Sequence, residues 1–247
     1  RGIEAGEGEL VAFLDSDDLW LPEKLELQLR LLRAAPQVGF AITDTTSFGF
    51  SVDNLFDMSP HVREYFGKQV GEAAYVLNEE VRTGLLRGSF VSTSAVLVRR
   101  SLLEQDRFDE ALGGWEDFDL WLRLAQRTPF GVIDRVLVRQ RQHPGNKSRQ
   151  ALKVANIATE FIRRARTGSL PMPTAKLRRR VTGQWARKAM LGYLQAGKPA
   201  RAARAFVQSL SDPDPKAIWR VFKTYAKTNR TLRAVAEMAG LARKRDQ

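Results

Sequence analysis

Apolar runs and helical repeats predict an α/β fold in the first 150 residues. Residues 10–14 are apolar on both faces, which is typical of a strand in the middle of a sheet covered on both sides. Leucines at helical spacing over 22–35 predict a helix that begins at Pro22, and residues 38–42 form the next apolar run. A strand, a helix and a strand in this order predict a mostly parallel sheet.

An irregular stretch over 44–70, which contains Gly49, Pro60 and Gly67, interrupts this pattern. A loop of this length in a compact domain is usually functional or mobile. Regular patterns then resume, and we expect helices over 72–87, 101–105 and 117–126 and strands over 90–98, 131–134 and 136–139.

From about residue 151 the chain becomes helical and rich in Ala and Arg. We expect a linker over 168–173 and helices over 184–196, 199–210 and 215–226. The pattern therefore divides the chain into an α/β domain over 1–150 and a basic α-helical region over 151–247.

The formal net charge of +12, taken alone, favours a nucleic-acid partner. However, residues 151–247 hold 22 basic and 5 acidic residues, whereas residues 1–150 hold 18 and 23. The basic excess therefore belongs to the helical region. There we favour docking to an anionic membrane surface or an anionic acceptor. A solvated basic face is the alternative, and nucleic acid is not the expected partner.

The chain has no cysteine, which excludes disulfides and thiolate metal sites. No apolar run approaches the ~20 residues of a membrane span, and no signal-peptide pattern follows Arg1. We therefore expect a cytoplasmic protein, which is peripheral at the inner face of the membrane if the basic helices dock there.

Asp15, Asp17 and Asp18 directly follow the first predicted strand. Ligands of open α/β sheets bind beyond the carboxyl ends of the strands. Carboxylates this close repel one another unless they share a cation, and Mg²⁺ or Mn²⁺ prefers carboxylate oxygens and bridges to phosphate-bearing substrates. The alternative is that Asp18 caps the helix that begins near Pro22.

A second acidic cluster, Glu116, Asp117 and Asp119, begins the helix predicted over 117–126. The helix dipole favours carboxylates at this end, so stabilisation alone is one explanation. Three acids exceed what capping needs, and a carboxylate that the helix start keeps ionised suits a general base for a hydroxyl.

His143 lies in a loop just after the last predicted strand and is preceded by Arg139 and Arg141. A neutral imidazole can complete a metal shell and an arginine can clamp a diphosphate, although a lone histidine is more often structural. Ser92, Thr93 and Ser94 lie in the strand predicted over 90–98, where their hydroxyls could meet an acceptor or a diphosphate.

These motifs, in this order, resemble the family 2 glycosyltransferases, which have the GT-A fold. Residues 11–25 look like that family's strand, DxD motif and following helix, and residues 1–9 look like its lead-in. Residues 116–123 are similar to its acceptor-side ED motif, and residues 141–148 resemble its closing Arg-x-His-Pro-Gly-Asn-x-Ser segment. The resemblance covers residues 1 to about 148.

The resemblance implies an inverting transfer from a UDP-, GDP- or dTDP-sugar to a glycan, lipid-linked or protein acceptor, in cell-envelope or surface glycan synthesis. Asp17 would bind Mn²⁺ or Mg²⁺ together with Asp15 and His143, with Asp15 nearer the nucleotide ribose. Asp117 would be the catalytic base. The other expected substrate-binding residues are Glu116, Arg141, Ser92 and Thr93.

In that family, strands that cradle the nucleotide base precede the DxD strand, and the sequence has no counterpart of them. We therefore expect an N-terminally truncated GT-A-like sheet that lacks its first βα units. We also expect this chain to be inactive by itself.

The residues are compatible with two other functions. A haloacid-dehalogenase-type phosphatase also places Asp-x-Asp after a buried strand, but it would have small residues after the pair, where this chain has Leu19-Trp20. A non-enzymatic basic helical binding protein would rest on residues 151–247 alone.

Overall fold

The structure, a computed structural model, describes residues 2–49, 54–143, 150–170, 172 and 174–211. The chain divides into two compact units, Arg1–Asn146 and Lys147–Gln247. The described part of the first unit contains a seven-stranded sheet with helices, and that of the second contains three helices. The expected class, an α/β fold followed by an α-helical region, is confirmed.

The first unit is built from short elements. Its strands are β1 (Leu10–Ala12), β2 (Leu19–Trp20), β3 (Phe40–Phe48), β4 (Phe66–Gly71), β5 (Ala74–Leu77), β6 (Leu97–Arg99) and β7 (Phe130–Arg141). Its helices are α1 (Gly2–Ala5), α2 (Lys24–Ala34), α3 (Leu55–Met58), α4 (Val81–Arg87), α5 (Arg100–Gln105) and α6 (Glu116–Arg127), with 3₁₀ turns at Pro60–Tyr65 and Thr93–Ala95.

The strands are ordered β1-β6-β3-β7-β5-β4, and β2 pairs with the end of β7. β3 and β7 run parallel at the centre, whereas the other strand pairs of the described residues are antiparallel. The sheet is therefore mixed, which differs from the mostly parallel sheet expected from the first strand–helix–strand pattern. The connection between β4 and β5 is too short for a parallel crossover, which requires a dozen or more residues.

β1 does not lie in the middle of the described sheet, as its sequence predicted. Among the described residues it pairs with β6 alone and forms an edge. Leu14, expected inside the strand, is 49% exposed. The ladder ends early because the Asp15 backbone N–H donates to the Ser94 side-chain oxygen (3.0 Å) instead of to a strand carbonyl.

Four other predicted elements differ from the structure. Residues 72–87, predicted as one helix, form β5 and α4, and residues 90–98, predicted as one strand, form the turn Thr93–Ala95 and β6. The strands predicted over 131–134 and 136–139 are parts of β7, whose register against β3 shifts around Asp44. In each case pairing with a distant strand, rather than local periodicity, decides the element.

The core forms where α2 and α6 cover the sheet. Phe40 and Phe130, neighbours on β3 and β7, stack with ring centres 4.5 Å apart, and Trp121 of α6 is fully buried beside Phe40. Gly131 lets α2 approach, because a Cβ at this position would lie 2.5 Å from the Leu31 side chain. This packing holds the carboxyl ends of β3 and β7 in place.

The described part of the second unit contains α7 (Ala151–Thr167), α8 (Ala175–Gln195) and α9 (Pro199–Ser209). Phe161 and Trp185 stack between α7 and α8 with ring centres 5.1 Å apart. The helix predicted over 184–196 begins earlier, at Ala175, and the helix predicted over 199–210 is confirmed. The helix predicted over 215–226 lies outside the described residues. None of the described helices is both long enough and apolar enough to cross a membrane.

Candidate active site

The loop after β1 is a tight turn in which the Asp18 backbone N–H donates to the Asp15 carbonyl (3.1 Å). Its acids differ in exposure: Asp15 is exposed, Asp17 is half-buried and Asp18 is 6% exposed. The exposed members of this loop are therefore available to a ligand, whereas Asp18 faces the protein.

Asp18 fastens the loop to two other elements. One carboxylate oxygen accepts from the Ser94 hydroxyl (2.7 Å), and the other accepts from the Arg141 backbone N–H (3.1 Å). Burial raises the pKa of Asp18, while these two hydrogen bonds oppose that rise. The alternative that Asp18 caps α2 is wrong, because the residue preceding that helix is Glu23 and Asp18 has these other partners.

Asp17 and His143 come together although 126 positions separate them in the chain. The Asp17 carboxylate lies 3.2 Å from the His143 Nε2 atom, and the Arg141 Nε atom donates to the Asp17 carbonyl (3.3 Å). Within the described ranges, no three His, Asp or Glu side chains lie close enough to form a metal site by themselves. Two of the three predicted ligands are thus adjacent, and Asp15 remains a prediction.

This pair fits a divalent cation that is completed by substrate. Carboxylate and imidazole donors suit Mn²⁺, and Mg²⁺ is usually bound by one or two carboxylates together with substrate phosphates. The half-exposed position of both side chains leaves room for such a substrate.

Asp117 lies at the start of α6 with both carboxylate oxygens held. The Thr93 hydroxyl donates to Oδ2 (2.6 Å) and the Phe118 backbone N–H donates to Oδ1 (2.7 Å). Burial raises the pKa of Asp117, and the hydrogen bond from Thr93 opposes the rise. The sequence suggests that the helix start keeps this carboxylate ionised. Burial acts in the opposite direction and moves its pKa towards the range of a useful general base.

The residue before the acidic cluster has an unusual backbone. Trp115 adopts φ 59° and ψ 24°, the left-handed region that a bulky residue rarely occupies. The turn at Gly114 and Trp115 directs Glu116 and Asp117 into the first turn of α6. Asp119, the third acid, is buried and accepts from Arg123 Nε (2.9 Å), so its role is structural.

One short turn connects the two acidic groups. The consecutive residues Thr93 and Ser94 bind Asp117 and Asp18 respectively, and the Ser94 carbonyl accepts from the Trp20 indole N–H (2.8 Å). Ser94 is fully buried, and its side-chain oxygen contacts the Asp15 backbone N–H and the Asp18 carboxylate rather than being open to the acceptor or diphosphate that the sequence suggested for it. The run of hydroxyls at 92–94 was the available signal, but only the fold reveals its partners.

The remaining predicted substrate-binding residues lie around these groups. Glu116 is half-buried beside Asp117, and Arg141 is exposed beside the Asp17 loop. The Thr93 hydroxyl is bonded to Asp117, and the Ser92 hydroxyl oxygen is buried without a hydrogen-bond partner among the described residues. Residues 144–148 of the predicted closing segment lie outside the described residues.

Comparison with known proteins tests the family resemblance. A family model described as glycosyltransferase like family 2 matches residues 1–146. The chain is 30% identical over 123 residues to the amylovoran biosynthesis glycosyltransferase AmsB of Erwinia amylovora. The aligned residues make up 50% of this chain and 38% of AmsB. It is 27% identical over 156 residues to an uncharacterized glycosyltransferase of Rickettsia conorii, covering 60% of this chain and 22% of the relative.

A third relative, an uncharacterized glycosyltransferase of Methanocaldococcus jannaschii, is 20% identical over 142 residues, covering 57% of this chain and 44% of the relative. The chain thus spans less than half the length of each of these relatives. The match confirms the resemblance found from the motifs, and the α/β unit is consistent with a GT-A-like fold. The chain belongs to the glycosyltransferase-like family 2.

Proposed function

We propose that the first unit contributes the base and the cation site to inverting, metal-dependent glycosyl transfer from a nucleotide-diphosphate sugar to an acceptor hydroxyl. The observation that carries this proposal is the turn Thr93–Ala95, which binds Asp117 with one hydroxyl and the Asp15–Asp18 loop with the next. A base for the acceptor and a site for the donor diphosphate are thereby held to one short, partly buried segment.

Asp117 is the base in this proposal. Its carboxylate takes the proton of the acceptor hydroxyl as that oxygen attacks the anomeric carbon and the bond to the nucleoside diphosphate breaks. The two hydrogen bonds that fix the carboxylate limit its motion, which matters because proton transfer requires hydrogen-bond distance. The raised pKa makes Asp117 a stronger base than an exposed aspartate.

Asp17 and His143, with Asp15 nearby in sequence, are the proposed ligands of Mn²⁺ or Mg²⁺. When bound, this cation would stabilise the negative charge of the departing diphosphate. Arg141 lies against the same loop and adds positive charge there. Among the relatives, AmsB is named for amylovoran biosynthesis, and we extend this to synthesis of a cell-envelope or surface glycan.

Asp117→Asn tests the base in an assay of sugar transfer. We expect sugar transfer to fall by about 10²–10⁴-fold while binding of the sugar nucleotide is retained. Asp134→Asn is the matched control, since Asp134 pairs with Arg63 at the surface and such pairs contribute little. Normal turnover by Asp117→Asn would refute the assignment of the base.

The helical region supports a second proposal, peripheral contact with an anionic membrane at its cytoplasmic face. Between residues 151 and 211, Glu160 is the only acid against 13 Lys and Arg. Lys176, Arg178, Arg179 and Arg180 are exposed in the first two turns of α8, and the helix dipole disfavours cations in the first of these turns. Stabilisation of the helix therefore does not explain the cations of its first turn, and each basic residue near an anionic bilayer contributes about 1 kcal/mol of binding.

Vesicle co-sedimentation tests this contact. Replacing Arg178, Arg179 and Arg180 by Gln should weaken binding to vesicles of phosphatidylglycerol and phosphatidylcholine by about 100-fold. The control removes three charges elsewhere, at Lys198, Arg201 and Arg204, which are also exposed. Binding of the wild type to duplex DNA but not to vesicles, or to neither, would contradict the proposal.

A further inference from the structure

Two arginines share one aromatic ring beside the proposed cation site. The guanidinium carbon of Arg139 lies 5.0 Å from the centre of the Phe48 ring, and that of Arg141 lies 4.7 Å from it. Both arginines are exposed. The pair lies at the carboxyl ends of β3 and β7, the two parallel strands, where ligands of open α/β sheets bind.

The two positive charges are close enough to repel each other. Both lie within 5.0 Å of one ring centre, so their separation is comparable with the Debye length of about 8 Å at physiological salt. Arg135, on the same strand, pairs with Glu23, whereas no described carboxylate lies within ion-pair distance of Arg139. Cations arranged in this way favour a shared anion.

The backbone holds this arrangement in place. The Gln142 backbone N–H donates to the Phe48 carbonyl (2.8 Å), which extends the contact between the two strand ends. The next residue, Gly49, has φ +109°, and a Cβ there would lie 2.5 Å from the Gln142 carbonyl oxygen. Only glycine allows the chain to turn so closely here, so the position of Phe48 is fixed by the fold.

Stacking on the Phe48 ring also orients the guanidinium groups in a way that suits a phosphate. Arginine stacks on aromatic faces and keeps its planar N–H edge available, which matches the oxygens of a phosphate in bidentate hydrogen bonds. The same surface continues to Asp17 and His143 through Arg141, whose Nε atom donates to the Asp17 carbonyl.

We infer that Arg139, Phe48 and Arg141 form a phosphate-binding seat next to the proposed cation site. This inference rests on the proposed function, because it assigns the seat to a phosphoryl group of one of the two substrates. The group belongs either to the diphosphate of the donor or to a phosphate-bearing acceptor. Arg139 and Phe48 are the new elements, since Arg141 belongs to the motif that suggested the family.

Calorimetric titration of this chain with simple probes tests the seat without requiring catalysis. The probes are inorganic pyrophosphate with and without Mn²⁺, and phenyl phosphate as a monoester. Arg139→Gln should weaken binding of the relevant probe by about tenfold, which equals about 1.4 kcal/mol. Phe48→Leu should weaken it in the same direction because the stacking surface is lost, and Arg135→Gln, which removes an equal charge from the same strand, should not.

The probes distinguish the two sources of phosphate. A loss confined to pyrophosphate with Mn²⁺ identifies the donor diphosphate, because that group carries the metal. A loss for phenyl phosphate that does not depend on Mn²⁺ identifies a phosphate on the acceptor. Unchanged binding of every probe by Arg139→Gln, or an equal loss in Arg135→Gln, overturns the inference. These results do not depend on Asp117, so they remain separate from the test of the base.

Discussion

Acidic side chains in the first unit are held by specific donors, whereas basic side chains in the second unit are mostly exposed. Asp18 and Asp117 each accept two hydrogen bonds from named partners. Asp44 is also buried, and one of its oxygens accepts from the Thr45 and Phe56 backbone N–H groups (2.7 and 3.0 Å). These charges are therefore fixed in position, as chemistry at a bond-forming site requires.

The described helices of the second unit use charge differently. Glu160 binds Arg163 and Arg164, and the hydrogen bond from Arg163 contributes most to lowering the pKa of Glu160 to about 2. Most of the other basic residues between 151 and 211 project into solvent. Changing one of these hydrogen-bonded acids of the first unit should therefore alter stability or catalysis, whereas changing an exposed cation of the second unit should mainly alter salt-dependent binding.

Lys24 gives the strongest test of the contrast between the two units, because it is a cation that is completely buried in the first unit. Its Nζ atom donates to Gln28 Oε1 (2.8 Å) and lies 4.3 Å from the centre of the Trp20 ring. Burial lowers the pKa of Lys24 to about 7, from 10.5 in the unfolded chain. The cost of the buried charge is fully present below pH 7 and declines as the pH rises towards 10.5, because only the folded state then releases its proton.

Relative to Lys24→Met, the wild type should therefore gain about 2–3 kcal/mol in the free energy of unfolding between pH 6 and pH 9. Urea denaturation of both proteins across this range measures the difference. A difference that stays constant with pH would show that Lys24 is not buried as a titrating group.

Asp18 and Asp17 allow a structurally fixed acid to be compared with a proposed metal ligand. Asp18→Ala should lower the free energy of unfolding by about 2–3 kcal/mol, because the Ser94 hydroxyl and the Arg141 N–H lose their acceptor. Asp17→Ala, at a half-exposed position, should change it by less than about 0.5 kcal/mol but should weaken Mn²⁺ binding. Chemical denaturation and Mn²⁺ titration test both variants. Equal destabilisation by the two would contradict the distinction.

Thr93→Val tests how the pKa of the proposed base, Asp117, is tuned. The Thr93 hydroxyl donates to Asp117 and thereby favours the ionised carboxylate. Without it the pKa of Asp117 rises further, so the acid limb of the pH–rate profile should move upward by about one pH unit. Thr93→Ser retains the hydroxyl and should restore the profile of the wild type. A lower rate with an unshifted acid limb would indicate a contact with substrate instead.

The local sequence pattern predicts those elements of the fold that bury one apolar face against the rest of their unit. Helices α2, α6 and α9 follow from apolar residues at helical spacing, and their predicted positions agree with the structure to within a few residues. The segments over 72–87 and 90–98 were predicted wrongly, because β5 pairs with β7, and Thr93 and Ser94 bind acids 24 and 76 positions away. No local period encodes such contacts.

The same reason explains which candidate site residues the sequence can predict. Asp17, Asp117 and His143 carry chemistry in their side chains and lie in motifs, so the sequence alone suggests them. Ser94 acts through its partners, Asp18 and the Asp15 backbone, and its role appears only when β6 lies beside β1. Asp119 was grouped with the functional acids, although its partner is Arg123, four positions along α6.

Lys176 gives the smallest expected effect and the most direct contrast between the two units. It lies in the first turn of α8, where Thr174 caps the helix by accepting from the Leu177 backbone N–H (3.1 Å). A cation there opposes the helix dipole, so Lys176→Gln should raise the free energy of unfolding by about 0.3–0.5 kcal/mol at low salt. Arg180→Gln removes the same charge one turn further along, where the dipole effect is weaker, and should change stability less. Thermal unfolding at low and high salt measures both, and the difference should vanish at high salt because the interaction is screened. Destabilisation by Lys176→Gln would mean that this cation is held by a specific partner, as the buried acids of the first unit are.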